Sequence, residues 1–370
     1  MERIVYADYL RVIGILGVMG VHLCGNYLSK TPLFSGIWYQ GALFYSITRS
    51  GVLLFVLVSG LLLLDRPQSI DRLPHRIERV MVPFVFWLFV FYLKMIFIDH
   101  SIVAASAYDF VGGFVNCILN PNIISIEFWY IYMIIGFYLM LPIIRKWISN
   151  TDEREIKYFL VVWFAVLVLN YFNTRIMILE YVNLFTGYLG FFVLGYYLNT
   201  TDSRYSNSFT LGLALFIAGT LMMLLSILIP TWMSGHVNMD YVGYLNLAPS
   251  SVFKAVGMFL MLKNVDFKTV FKTRSDSVNE FMRKFAEITF GLYLIHLLIP
   301  LNGIWSIELS PFINIPVCLA VIIVVTYVVL NVMNRNTHTA KVYWDEILNP
   351  LTIPHFYEKC ENPIFFEWLY

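Results

Sequence analysis

Residues 6–30 read YADYLRVIGILGVMGVHLCGNYLSK, an apolar run of helical length that carries Asp8, Arg11 and His22 within it. About 20 mainly apolar residues cross the roughly 30 Å of bilayer hydrocarbon, so the run reads as a membrane-spanning helix. A secretory leader would show a small-residue cleavage site. Here Asp8, Arg11 and the apolar stretches downstream keep the run as part of the mature structure. Arg11 and His22 stand eleven residues apart. At 3.6 residues per turn this is three turns plus about 20°, which places both on one helix face about 16–17 Å apart along the axis. Asp8, three residues before Arg11, is positioned to neutralise it. Taken singly, Arg11 also fits an interfacial anchor and His22 a packing histidine.

The rest of the chain has the same character. Of its 370 residues 59% are apolar and 13% charged, about half the roughly 25% charge of an ordinary soluble domain. That excludes a soluble globular protein, and 17% aromatic residues exclude a disordered one. The four cysteines, Cys24, Cys117, Cys318 and Cys360, form no CxxC pair and have no histidine at ligand spacing, so neither a disulfide framework nor a metal centre is expected. The net charge of +1 gives no sign of a nucleic-acid partner.

Apolar stretches of spanning length fall at about 8–28, 41–64, 80–98, 126–144, 157–173, 183–199, 209–230, 246–263, 286–304 and 310–332. The loops between them carry a lopsided share of Lys and Arg. Alternate loops hold Arg66, Arg72, Arg76 and Arg79, then Arg145, Lys146, Arg154 and Lys157, and later a basic run from Lys263 to Lys284. The intervening loops hold only Lys30 and Arg175. Basic loops stay cytoplasmic, so the expected fold is an all-α membrane protein of about ten transmembrane helices with both termini cytoplasmic. One domain over 1–335 is expected, followed by a cytoplasmic or interfacial tail over 336–370, whose aromatic end from His355 to Tyr370 suits the headgroup level.

An ionisable side chain inside hydrocarbon costs about 2.5–3.5 kcal/mol at mid-bilayer on insertion scales and is a functional candidate by default. Lys94 and Lys254 lie near span ends and are read as snorkelling cations. Arg49 lies too deep in the second span to snorkel easily, at a depth close to that of His22. Glu127 opens the fourth span beside Phe128, Trp129 and Tyr130, and His296 falls in the outer half of the ninth. His22, Arg49, Glu127 and His296 are therefore expected to converge on one cavity open to the outer face. On the cytoplasmic side Arg76 and Arg79, three apart on one helix face, fit either a two-pronged phosphate site or an ordinary basic flank.

Together these fragments resemble the acyltransferase-3 family of multi-pass bacterial membrane acyltransferases, over roughly residues 3–335. Tyr6-Ala-Asp-Tyr-Leu-Arg11 with His22 is similar to the family's opening motif, an Arg and a His with ten residues between them in the first helix. The stretch from Arg49 to Ser59-Gly60 resembles its second-helix signature, with Leu53 where Pro is common. Arg76 and Arg79 match its basic pair ahead of the third helix. Phe128-Trp-Tyr through Gly136 to Pro142 matches its aromatic segment, with Glu127 where His often stands, and Gly291 to His296 matches its late Tyr-Leu-x-His.

The resemblance implies ten core spans in the bacterial inner membrane and an acyl-CoA donor, most often acetyl-CoA, from the cytoplasm. The implied reaction is O-acylation of a surface or lipid-linked glycan, with no permanently bound cofactor. Some members carry an extracytoplasmic esterase-like domain. Its lack of room here implies delivery of the acyl group to the acceptor directly or to a separate partner. In this reading Arg76, Arg79 and Arg11 hold the donor's phosphates. His22 is the base or a transient acyl carrier, Arg49 clamps the oxyanion or the acceptor, and Glu127 or His296 orients His22. Cys24 lies about 200° around the helix from His22 and makes a poor nucleophile. Buried Arg and His also line transport paths, so a polysaccharide or small-molecule exporter is the alternative. Inverted repeats or paired broken helices would mark it, and the sequence shows neither.

Overall fold

The computed structural model describes residues 3–66, 69–103, 106–172, 177–299, 301 and 306–335, and among them all regular structure is helical. The α-helices are α1 Val5–Lys30, α2 Gly36–Thr48, α3 Gly51–Leu63, α4 Leu73–Phe97, α5 Ala107–Leu119, α6 Trp129–Asn150, α7 Glu153–Phe172 and α8 Met177–Thr200. They continue as α9 Phe209–Ser234, α10 Met239–Tyr244, α11 Pro249–Lys263, α12 Phe267–Phe271, α13 Ser275–Ile295 and α14 Pro311–Arg335. The proposed tail over 336–370 lies outside the described residues.

Seven segments are long and apolar enough to cross a membrane: α1, the α2–α3 pair, α4 with its leading turn, α6, α7, α9 and α14. The stretches expected at 183–199, 246–263 and 286–304 overlap α8, α11 and α13, which are not among those seven. Helix α11 has 15 residues, and α13 begins in a charged sequence and stops at Ile295. Length and composition of the described helices thus account for seven of the ten expected spans. The loop expected between the third and fourth spans contains α5, started by the Ser106 hydroxyl accepting from the Asp109 amide and tied to α4 where the Tyr92 hydroxyl donates to the Phe110 carbonyl at 3.0 Å.

Two features of this bundle place the site. First, α3 is apolar all round and correspondingly buried, with Leu53, Leu57, Val58 and Leu61 fully covered. It touches α1 through glycines: a Cβ on Gly51 would lie 2.6 Å from the Gly14 carbonyl oxygen, and one on Gly17 would lie 2.9 Å from that of Thr48. Small residues at a crossing let backbones meet, and this contact sets Arg49, two residues before Gly51, beside the helix that carries His22. Second, the expected single helix over 41–64 is broken. Helix α2 ends at Thr48 and α3 begins at Gly51, with Arg49 and Ser50 between. A break inside a membrane bundle is tolerated when its backbone is covered by protein and its polar groups find partners.

One partner comes from Lys254. The snorkelling role expected for it does not hold: the side chain is 0% exposed, and its Nζ donates to the Ser46 carbonyl at 2.6 Å. The reason is the placement of α11, which packs along α9 through Gly219 and Gly257 and turns Lys254 into the bundle. Lys94 does lie at a helix end, half-exposed, with its Nζ 2.6 Å from Asp99.

Candidate active site

A cavity of about 770 Å³ opens between α1, the α2–α3 break, the start of α6 and the segment around α10. His22, Arg49 and Glu127 all line it, together with Tyr45, Thr48, Trp129, Tyr130, Asn246 and Tyr293. Three of the four residues expected to converge thus share one cavity. The fourth, His296, stands behind His22, with its ring centroid 5.4 Å away at a tilt of 31°.

The His22 Nδ1 lies 3.2 Å from Glu127 Oε1. A carboxylate only accepts, so the proton on Nδ1 points at Glu127 and Nε2 keeps its lone pair. Glu127 is itself held at several points. Its Oε2 accepts from the Ser125 hydroxyl, and its backbone carbonyl accepts from the Tyr293 hydroxyl at 2.5 Å. Tyr293 is buried, stacks edge-on against Tyr130 at 5.3 Å and belongs to α13, so the short helical turn Ile126–Phe128 is fastened to the far side of the bundle. These supports place a carboxylate against an imidazole in a largely apolar enclosure.

His296 is buried, and its Nδ1 donates to the carbonyls of Leu292 and Tyr293 at 3.1 and 2.8 Å. Its Nε2 therefore carries a lone pair and finds no hydrogen-bond partner among the described residues. Of the two candidates for orienting His22, Glu127 meets an imidazole nitrogen, whereas His296 packs on the ring. Arg49 caps the C-terminus of α2, with its guanidinium carbon 5.3 Å above the Tyr45 ring centroid. The buried thiol of Cys24 is not part of the cavity wall.

A second cluster gathers at the other end of α1. Arg11 and Arg79 are buried and Arg76 is half-buried. The hydroxyl of Tyr138, buried on α6, lies within electrostatic reach of all three. The sequence gives no reason to single out Tyr138 beyond its place in the aromatic segment. Eight residues earlier on α6, Tyr130 lies within electrostatic reach of Arg11 and also lines the His22 cavity, which links the two clusters. Asp8, expected from spacing to neutralise Arg11, lies within electrostatic reach of it, and its carboxylate also accepts from Arg3 Nε at 2.8 Å.

What this arrangement supplies is a cationic cluster at one end of α1 and, along the same helix face, an imidazole with a free nitrogen beside a guanidinium. No group of three or more metal-ligating side chains occurs among the described residues. A family model described as "Acyltransferase domain" matches residues 4–331 of the chain. No curated protein and no solved structure matches it.

Proposed function

The chain belongs to the acyltransferase-3 family, and on that premise we propose that it is a membrane O-acyltransferase moving acetyl from cytoplasmic acetyl-CoA to a hydroxyl of a surface or lipid-linked glycan at the outer face of the bacterial inner membrane. The carrying observation is the cavity in which the His22 imidazole, braced by Glu127, stands beside Arg49. Ten spans with both termini cytoplasmic complete the reading, resting on the basic bias of alternate loops.

Donor phosphates meet Arg76, Arg79 and Arg11, whose guanidinium groups stay charged and match phosphate geometry. The pantetheine arm follows the face of α1 past Tyr130 toward His22, a run of about 16–17 Å. His22 Nε2 then takes the proton from an acceptor hydroxyl as its oxygen attacks the thioester carbonyl carbon. Arg49 donates to the oxyanion that forms, where a preorganised donor in an enclosed site is worth most. Collapse breaks the C–S bond, and the imidazolium returns its proton to the departing CoA thiolate. Glu127 holds Nδ1–H throughout, fixing the tautomer and stabilising the imidazolium. Trp129 and Asn246 give the cavity an aromatic face and an amide, a combination suited to a sugar.

The test is acetyl transfer from labelled acetyl-CoA to a bacterial lipid-linked glycan pool by purified protein. Label reaching glycan supports the proposal. If glycan crosses vesicle membranes unacetylated in a protein-dependent way, the exporter alternative replaces it.

A further inference from the structure

Lys254 is a basic residue in the middle of the bundle that the chemistry above leaves without a role. It is fully buried in α11, and among the described residues no carboxylate lies within ion-pair distance of it. Its stem has little freedom. Helix α9 crosses so closely that a Cβ on Gly219 would come within 2.8 Å of both the Lys254 Cγ and its backbone nitrogen. The ammonium is thereby aimed at one acceptor, the Ser46 carbonyl, 2.6 Å from Nζ.

That carbonyl sits in the last turn of α2, where helical carbonyls lose their own amide partners. Three residues further along the chain stands Arg49, at the break between α2 and α3 and within electrostatic range of Lys254. A buried ammonium is costly, and apolar side chains of similar length would pack α11 against α9 without that cost. What they could not do is hold the open end of α2 or place a second positive charge behind the guanidinium. We propose that Lys254 is a positioning residue: it clamps the α2–α3 break through Ser46 and so fixes where the Arg49 guanidinium points into the cavity. The inference rests on the role proposed for Arg49, and it adds a residue that never touches the substrate.

Two measurements test it, one of them independent of turnover. In the first, hydrogen exchange by mass spectrometry compares full-length wild type, Lys254→Met and Lys254→Gln in detergent. The amides of residues 47–52 are expected to exchange about tenfold faster in Lys254→Met, the scale of one lost hydrogen bond to a charged group. The rest of the bundle should be unchanged, and Lys254→Gln, which keeps an N–H donor, should fall between. Exchange at 47–52 equal to wild type in both variants overturns the proposal, as does faster exchange spread evenly over all helices. If Lys254→Met fails to fold, Lys254→Gln alone decides by the same criterion.

The second is a double-mutant cycle with Arg49→Lys, read as kcat and donor KM. Lys254→Met should lower kcat about ten- to a hundredfold in the wild-type background, the scale of a misplaced catalytic group, with donor KM within about twofold. In the Arg49→Lys background the same change should cost less than about threefold, since residues acting as one unit are not additive. Equal losses in both backgrounds contradict action through Arg49. Absence of acetyl transfer by the wild type counts against the proposed function, while the exchange result still decides the clamp.

Discussion

Glu127→Gln isolates the charge behind His22. In the proposed reaction the imidazole becomes an imidazolium only as the hydroxyl proton moves, so the carboxylate at 3.2 Å stabilises the transition state more than the ground state. Two unit charges at that separation attract by about 5 kcal/mol at an effective dielectric near 20 and by about 1 kcal/mol in bulk water. The side chains are 28% and 21% exposed, which puts the pair between those limits. A value near 3 kcal/mol corresponds to roughly a 10²-fold fall in kcat. The amide is nearly isosteric and keeps an acceptor for Nδ1–H, so folding and donor KM should hold. The assay is release of CoA thiol in detergent with the glycan pool present, at saturating donor, alongside thermal unfolding of the same preparation. A folded Glu127→Gln protein turning over within about twofold of wild type would refute the charge-stabilising role given to Glu127.

Three further outcomes follow from the same geometry. Arg49→Ala should lower kcat by about 10²–10³-fold, as loss of one oxyanion donor does, with little change in the apparent affinity for acetyl-CoA; a loss confined to KM would assign Arg49 to binding instead. Arg76→Ala and Arg79→Ala should each raise the donor KM about tenfold or more, the scale of a lost charged hydrogen bond, while kcat changes less, and an unaltered KM would remove the phosphate role. Gly51→Leu should cost about 1–3 kcal/mol of stability by overpacking, because its side chain would meet the Gly14 carbonyl and the Val18 amide. It should also depress kcat by separating Arg49 from α1, whereas wild-type turnover in a stable variant would mean that the α1–α3 contact does not set the site.

The sequence was informative where a residue type was expensive for its surroundings. His22, Arg49 and Glu127 drew attention because hydrocarbon penalises them, and helical arithmetic along α1 put Arg11 and His22 on one face before any packing was known. Depth alone brought Arg49 and Glu127 level with His22, and all three do line one cavity. What depth could not reveal was direction. His296 shares the level but sits behind the His22 ring, because the α13 helix ends at Ile295 and its own carbonyls take the Nδ1 proton. Nor could a hydropathy profile show that the second span breaks at Arg49, since α2 and α3 are both apolar on either side of it. The depth rule misread Lys254 for a related reason: closeness to a span end implied a wet boundary, whereas the α9–α11 crossing buried it. Tyr138 was invisible because a tyrosine in an aromatic segment costs nothing there. Only the fold brings three arginines within electrostatic reach of its hydroxyl.

The most direct test of the account is transfer of label from radiolabelled acetyl-CoA by wild type and His22→Ala, both purified in detergent and shown to be folded, with and without the lipid-linked glycan pool. The account predicts label on glycan with the wild type alone, and CoA released in step with it. Equal transfer by His22→Ala would contradict the central role given to the imidazole braced by Glu127.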